Sequence, residues 1–90
     1  MYAACHDHFT TTDIALMAAA VADYKPDASS KIKIKKEEGA APELKLIKTK
    51  DILKSLGEIK TNRQILLGFA LETNNEKQNA LEKLQKKNAD

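Results

Sequence analysis

Residues 14–21 read IALMAAAV, an uninterrupted apolar run, and whether that run is strand or helix decides the fold. Its alanines suit a helix, while its length suits a strand covered on both faces. The residues behind it, Ala22-Asp23-Tyr24-Lys25-Pro26-Asp27, stop it with turn chemistry and favour the strand. A second run of the same kind, QILLGFA at 64–70, reads as another strand buried on both faces. Helical spacing fills the rest. Met1, Ala4, Cys5 and Phe9 recur at roughly helical intervals with nothing to cap their start, as if the chain began inside a helix. Thr10 to Asp13 is a polar connection. Ile52, Leu56 and Ile59 fall at i, i+4 and i+7, with Thr49 or Asp51 placed to cap the helix they define. Thr73-Asn74-Asn75-Glu76 has the form of a capping box. It opens a helix with Ala80, Leu81 and Leu84 on its apolar face and Glu82 and Lys86 paired on an exposed side.

The order is therefore helix, strand, arm, helix, strand, helix, which points to an α/β layer fold with parallel strands. Two strands are few for such a sheet. The sequence stops at Lys87-Asn88-Ala89-Asp90, where the alternation calls for another strand. The expectation is one domain fragment over residues 1–90, truncated at both ends, with a protruding β-arm at about residues 25–48. The arm consists of KIKIKK at 31–36, a loop containing Gly39 and Pro42, and a second extended run at 43–48. Extended backbone alternates its side chains, so Lys31, Lys33 and Lys35 share one side, roughly 6–7 Å apart, with Ile32 and Ile34 on the other. Like charges at that spacing repel unless they are well solvated or meet an anion. The row is then either an edge strand guarded against wrong pairing or a phosphate-binding flap.

Composition narrows the function. With 42% hydrophobic and 31% charged residues, the 90-residue chain is globular rather than disordered. A net charge of +2 is too small to argue for nucleic acid from bulk electrostatics, and two Tyr with two Phe make a thin stacking platform for single strands. The basic part is local, since residues 25–54 hold nine lysines against five acids. The apolar run at 14–22 is far short of a membrane span and lacks a basic leader, and Cys5 is the only cysteine. A reducing, cytoplasmic setting without membrane contact is expected.

Ligands of open α/β sheets gather beyond the carboxyl ends of the strands, here residues 18–23 and 68–75. Gly68 would let a ligand or another backbone approach, and Phe69 offers a stacking face for a base or an ordinary core ring. The amides opening the helix at Thr73 favour an anion, and Lys83 and Lys87 share a helix face. Cys5-His6-Asp7-His8 is too small a set for a metal site, and no orienting group or oxyanion feature supports a Cys/His nucleophile. Neither GxGxxG nor GxxxxGK[ST] is present.

Taken in order, AAAVADY at 18–24, the KIKK run from Lys33, GFALETN at 68–74 and the Lys83-x-x-x-Lys87 helix resemble phosphopantothenoylcysteine synthetase. This is the synthetase half of the bifunctional coenzyme A biosynthesis proteins, the DNA/pantothenate metabolism flavoprotein family. The resemblance implies a partial Rossmann-like (ribokinase-like) parallel sheet and a ligase joining 4′-phosphopantothenate to L-cysteine. In that family CTP activates the carboxylate as an acyl-cytidylate, and the cysteine amine then displaces CMP. It also implies that Met17, Ala18, Ala19 and Asp23 lie against the nucleotide, and that Lys33 is the catalytic flap lysine reaching the phosphates. Lys50, Asp51, Ile52 and Leu53 match a nucleotide-contacting loop and helix start. Phe69 matches the residue beside the cytosine ring, and Lys83 and Lys87 match two helix lysines facing the nucleotide. Mg²⁺ accompanies the CTP, with its ligands unassigned. FMN belongs only to the decarboxylase half, which this chain lacks, as it lacks the family's glycine-rich upstream half with its acyl-cytidylate asparagine. The family is dimeric, and the arm is the surface expected to meet the partner. The competing readings are a small basic nucleic-acid-binding module carried by residues 25–54 and a fragment that only folds or dimerises.

Overall fold

The computed structural model describes residues 1–27 and 44–90. Among them run α1 (Tyr2–Phe9), β1 (Ile14–Met17), β2 (Tyr24–Pro26), β3 (Leu46–Lys48), α2 (Ile52–Ile59), β4 (Ile65–Gly68) and α3 (Glu76–Lys86). The strand reading of residues 14–21 holds for its first half. β1 and β4 pair in parallel, with Ile14 opposite Ile65 and Met17 opposite Gly68. A bond from the Ile65 amide to the Asp13 carbonyl at 2.8 Å starts the ladder. β2 pairs with β3 as a separate antiparallel pair, Tyr24 opposite Lys48 and Pro26 opposite Leu46.

That second pair corrects two expectations. Residues 24–26 are strand rather than turn, because a two-stranded pair consists only of edges, where a proline lacking its N–H is tolerated. The strand within 43–48 is also shorter than expected, and its described partner is β2. The proposed pairing of 43–48 with 31–36, and Lys33 with it, falls outside the described residues.

The core is small. Phe9, Ile52, Leu56 and Leu66 are buried, with Tyr2, Cys5, Ala15, Met17 and Leu53 packed against them. In α1 the inward stripe is Tyr2, Cys5 and Phe9, whereas Met1 and Ala4 face out. α2 begins as expected: the Asp51 carboxylate accepts the Lys54 amide at 3.0 Å, satisfying one of the unpaired donors of the first turn. Ile52 and Leu56 then point inward, but Ile59 is exposed at the end of the helix. Among the described residues, neither β1 nor β4 is covered on both faces. Ala15, Met17 and Leu66 face α1 and α2, while Ile14, Leu16, Ile65 and Leu67 form an exposed outer face. Continuous apolar sequence fits burial on two sides, and within the described residues only one side has a helical layer.

α3 departs further. It starts at Glu76, not Thr73, and Asn75 precedes it in the left-handed region at φ 47° with no side-chain cap bond. The capping box is thus not formed, because Asn75 has already turned the chain before Thr73 can reach a first-turn amide; the Asn79 side chain instead bonds the Asn74 carbonyl at 2.8 Å. Leu81 and Leu84 are exposed, whereas the expected Glu82–Lys86 pair is present at 3.9 Å. α3 is fastened at its far end. Asn88 donates to the Gly57 carbonyl at 2.9 Å, and the Asp90 amide and carboxylate bond Leu66 in β4 at 2.8 and 2.9 Å. A Cβ on Gly57 would stand 1.8 Å from the Lys87 carbonyl oxygen, so a glycine is what allows α3 to sit against α2. Among the described residues no helix is long and apolar enough to cross a membrane.

Candidate functional site

The carboxyl ends of β1 and β4 open on the same side of the parallel pair, as parallel strands require, and the start of α2 meets them there. The segment after β1 is pinned from α2's approach. Thr49 donates its amide to the Asp23 carbonyl at 2.8 Å and its hydroxyl to the Ala22 carbonyl at 2.5 Å. Next to it Lys50 lays its ammonium 4.6 Å from the centroid of the Tyr2 ring, a cation–π contact that holds the side chain at the rim. Asp51 serves twice, as the cap of α2 and as partner of the Lys87 ammonium at 3.1 Å. Burial works to raise the Asp51 pKa, but the Lys54 amide and the Lys87 ammonium prevail and hold it below the ordinary carboxylate value.

These contacts frame a cleft of about 240 Å³. Met17, Ala19, Asp23, Lys50, Asp51, Ile52, Leu53, Phe69 and Lys87 all line it, so nine of the twelve residues singled out in sequence meet in one place. A neighbouring cleft of about 550 Å³ follows the end of β4 towards α3. It shares Val21, Asp23, Leu53, Phe69 and Lys87 with the first and adds Lys83. Ala18 lines neither, and Lys33 lies outside the described residues. Phe69 is 72% exposed, so it is not the core ring that sequence left open; its face is available to a planar ligand. Gly68 lines the second cleft and also serves packing. Its missing Cβ makes room for the Leu53 side chain, which would lie 2.5 Å away.

Charge in the joined cleft is balanced. Lys50, Lys83 and Lys87 share the lining with Asp23, Asp51 and Asp90; Lys87 pairs with Asp51, and Lys83 pairs with Glu72, which stands behind the lining. Asp90 is tied to Lys60 at 2.5 Å, and that hydrogen bond, followed by the one from the Leu66 amide, lowers its pKa. Among the described residues no group of three or more His, Cys, Asp or Glu is arranged to hold a metal ion. Sequence reasoning gave no role to Glu72, although it lies within GFALETN, nor to Tyr2 and Val21, which look like ordinary core. It also passed over Gly57, although a glycine inside a helical pattern is itself a signal of close packing.

Strand ends, a helix start and lysines from another helix, gathered on one cleft, define a class: an α/β protein whose candidate site lies beyond the carboxyl ends of its parallel strands. The chain belongs to the DNA/pantothenate metabolism flavoprotein C-terminal domain family, whose description matches residues 1–90. It is 40% identical over 90 residues to the coenzyme A biosynthesis bifunctional protein CoaBC of Haemophilus influenzae, covering all of this chain and 22% of that protein. Against CoaBC of Bacillus subtilis it is 45% identical over 82 residues, 91% of this chain and 20% of the relative. A protein of an unknown prokaryotic organism named cysteine/cysteine sulfinic acid decarboxylase is 48% identical over 82 residues, again 91% of this chain and 23% of the relative. A crystal structure of the CoaBC C-terminal domain superposes with a TM-score of 0.76 at 39% identity, over 98% of this chain and 38% of that one. The chain thus spans between a fifth and a quarter of the length of these curated relatives.

Proposed function

We propose that this chain supplies the nucleotide side of a CTP-dependent ligase that joins 4′-phosphopantothenate to L-cysteine in coenzyme A biosynthesis. The observation that carries the reading is the meeting of Asp23, Lys50, Phe69, Lys83 and Lys87, drawn from four separate segments, around one joined cleft. A nucleoside triphosphate needs an aromatic face for its base and cations for its phosphates, and this set offers both. The cytosine lies on Phe69 and the triphosphate runs between Lys50 and the two α3 lysines. A carboxylate oxygen of phosphopantothenate attacks the α-phosphorus and pyrophosphate departs with the breaking P–O bond. The cysteine amine then attacks the acyl carbon, CMP leaves, and an amide remains. Charge grows on each leaving group, so fixed ammonium groups lower both barriers. Positioning supplies the rest.

Lys33 is assigned the flap role, reaching the phosphates from the arm and shielding the acyl-cytidylate from water. Magnesium enters as part of the substrate, MgCTP. A longer Rossmann-like sheet, a homodimer and a cytoplasmic location complete the reading, which needs no FMN in this part. Calorimetric titration of the chain with MgCTP, MgATP and a short oligonucleotide, each at two salt concentrations, tests it. MgCTP should bind in preference to MgATP and keep that preference as salt rises. Equal affinity for all three, falling together with salt, would instead mark a basic polyanion binder.

A further inference from the structure

Glu72 sits in the connection between β4 and α3 and is assigned no part in the reading above. Its carboxylate is mostly covered, at 16% exposure, and Lys83 reaches across from a half-exposed position on α3 to pair with it. A lysine stem left in solvent would sample many rotamers, so this pair fixes one of them over the end of β4. Lys87, one turn further along α3, is held in the same manner by Asp51. With Lys83 and Lys87 each opposed by a carboxylate and Lys50 lying against the Tyr2 ring, the described lysines of the cleft are already engaged before ligand arrives. An anion must therefore displace a carboxylate to gain the ammonium of Lys83 or Lys87.

We propose, resting on the nucleotide reading above, that Glu72 is a positioning residue: it latches Lys83 beside the cleft until a polyphosphate takes its place. The exchange favours ligands with several linked charges. A single phosphate gains one ammonium and leaves Glu72 unpaired nearby, whereas a triphosphate spreads that loss over contacts to Lys83, Lys87 and Lys50. Glu72 thereby discriminates between nucleoside triphosphates and the smaller anions that surround them. A role confined to folding would give the opposite sign, because loosening Lys83 would weaken binding.

The experiment measures MgCTP and inorganic triphosphate affinity for the unmodified chain, Glu72→Gln, Lys83→Gln and the double variant. Glu72→Gln should tighten inorganic triphosphate about two- to fivefold at low salt, the range expected for freeing one partly exposed ion pair. The gain should vanish when Lys83 is already glutamine, because the latch acts only through that ammonium. Unchanged or weaker binding by Glu72→Gln overturns the latch. So does an equal gain in the Lys83→Gln background, which would show simple repulsion between carboxylate and phosphate. Should Glu72→Gln fail to fold, Glu72→Asp replaces it; keeping the charge but shortening the reach, it should give a smaller gain of the same sign, and no gain overturns the latch. Binding of MgCTP by the unmodified chain without any gain on mutation refutes the latch alone. No binding by any of the variants refutes the latch and the nucleotide reading together.

Discussion

Replacing Gly57 by alanine tests how α3 is held. The new Cβ would lie 1.8 Å from the Lys87 carbonyl oxygen and 2.9 Å from its carbonyl carbon, both backbone atoms that no rotamer change can move aside. Two effects oppose. Alanine favours the helix over glycine by about 1 kcal/mol, and overpacking of this kind costs about 1–3 kcal/mol. The cheaper response is for the end of α3 to shift, since that helix has no buried residue to resist it. Such a shift breaks the Asn88–Gly57 bond and strains the Asp90 attachment to Leu66. The net destabilisation expected is about 0–2 kcal/mol, and Lys87 leaves Asp51. Urea unfolding followed by circular dichroism reads the first quantity and MgCTP titration the second. Affinity should fall by more than the modest stability loss suggests. A Gly57→Ala variant that is about 1 kcal/mol more stable, with unchanged affinity, would show that α3 does not pack there.

Three further outcomes follow from named contacts. Gln64 donates to the Phe9 and Thr12 carbonyls at 2.6 and 2.9 Å and accepts from the Thr61 amide at 3.0 Å, joining the end of α1 to the turn before β4. Gln64→Ala should cost about 1–3 kcal/mol in denaturant unfolding, and a neutral result would contradict that bridge. Phe69→Ala should leave stability within about 0.5 kcal/mol, because the ring is largely exposed, but weaken MgCTP by about 1 kcal/mol or more with inorganic triphosphate unaffected. Equal weakening of both ligands would remove the stacking role. Asp51 is depressed in the folded state, so its contribution is present above the unfolded value near 3.8 and is lost as pH falls through the lower folded value. Asp51→Asn keeps a capping oxygen without titrating, so between about pH 6 and pH 3 it should lose less stability than the unmodified chain. Parallel losses would deny Asp51 that part.

The parallel core pair was legible because IALM and QILLG carry apolar patterning that short strands need, and the Asp51 cap because its side chain acts within its own turn. The cleft was legible in the same way wherever a strand end or helix start defined it. What could not be read was set at a distance. The exposure of Ile14, Leu16, Ile65 and Leu67 depends on which layers cover a sheet, and an apolar strand looks the same with one layer or two. Thr73-Asn74-Asn75-Glu76 satisfied the capping pattern, yet the left-handed turn at Asn75 placed the helix start elsewhere. Pro26 marked an end in sequence and an edge strand in space, two meanings that proline shares. The pairing of Glu72 with Lys83 joins residues eleven positions apart across a loop, beyond any helical spacing rule.

The central claim is that one nucleotide occupies the joined cleft. It is tested most directly by following backbone amide and lysine side-chain resonances during titration with MgCTP. The account predicts saturable shifts at Asp23, Lys50, Phe69, Lys83 and Lys87 with a common midpoint, while the distant Arg63 and Thr11 stay fixed. Shifts spread over surface lysines with separate midpoints, or a silent Phe69, would contradict it.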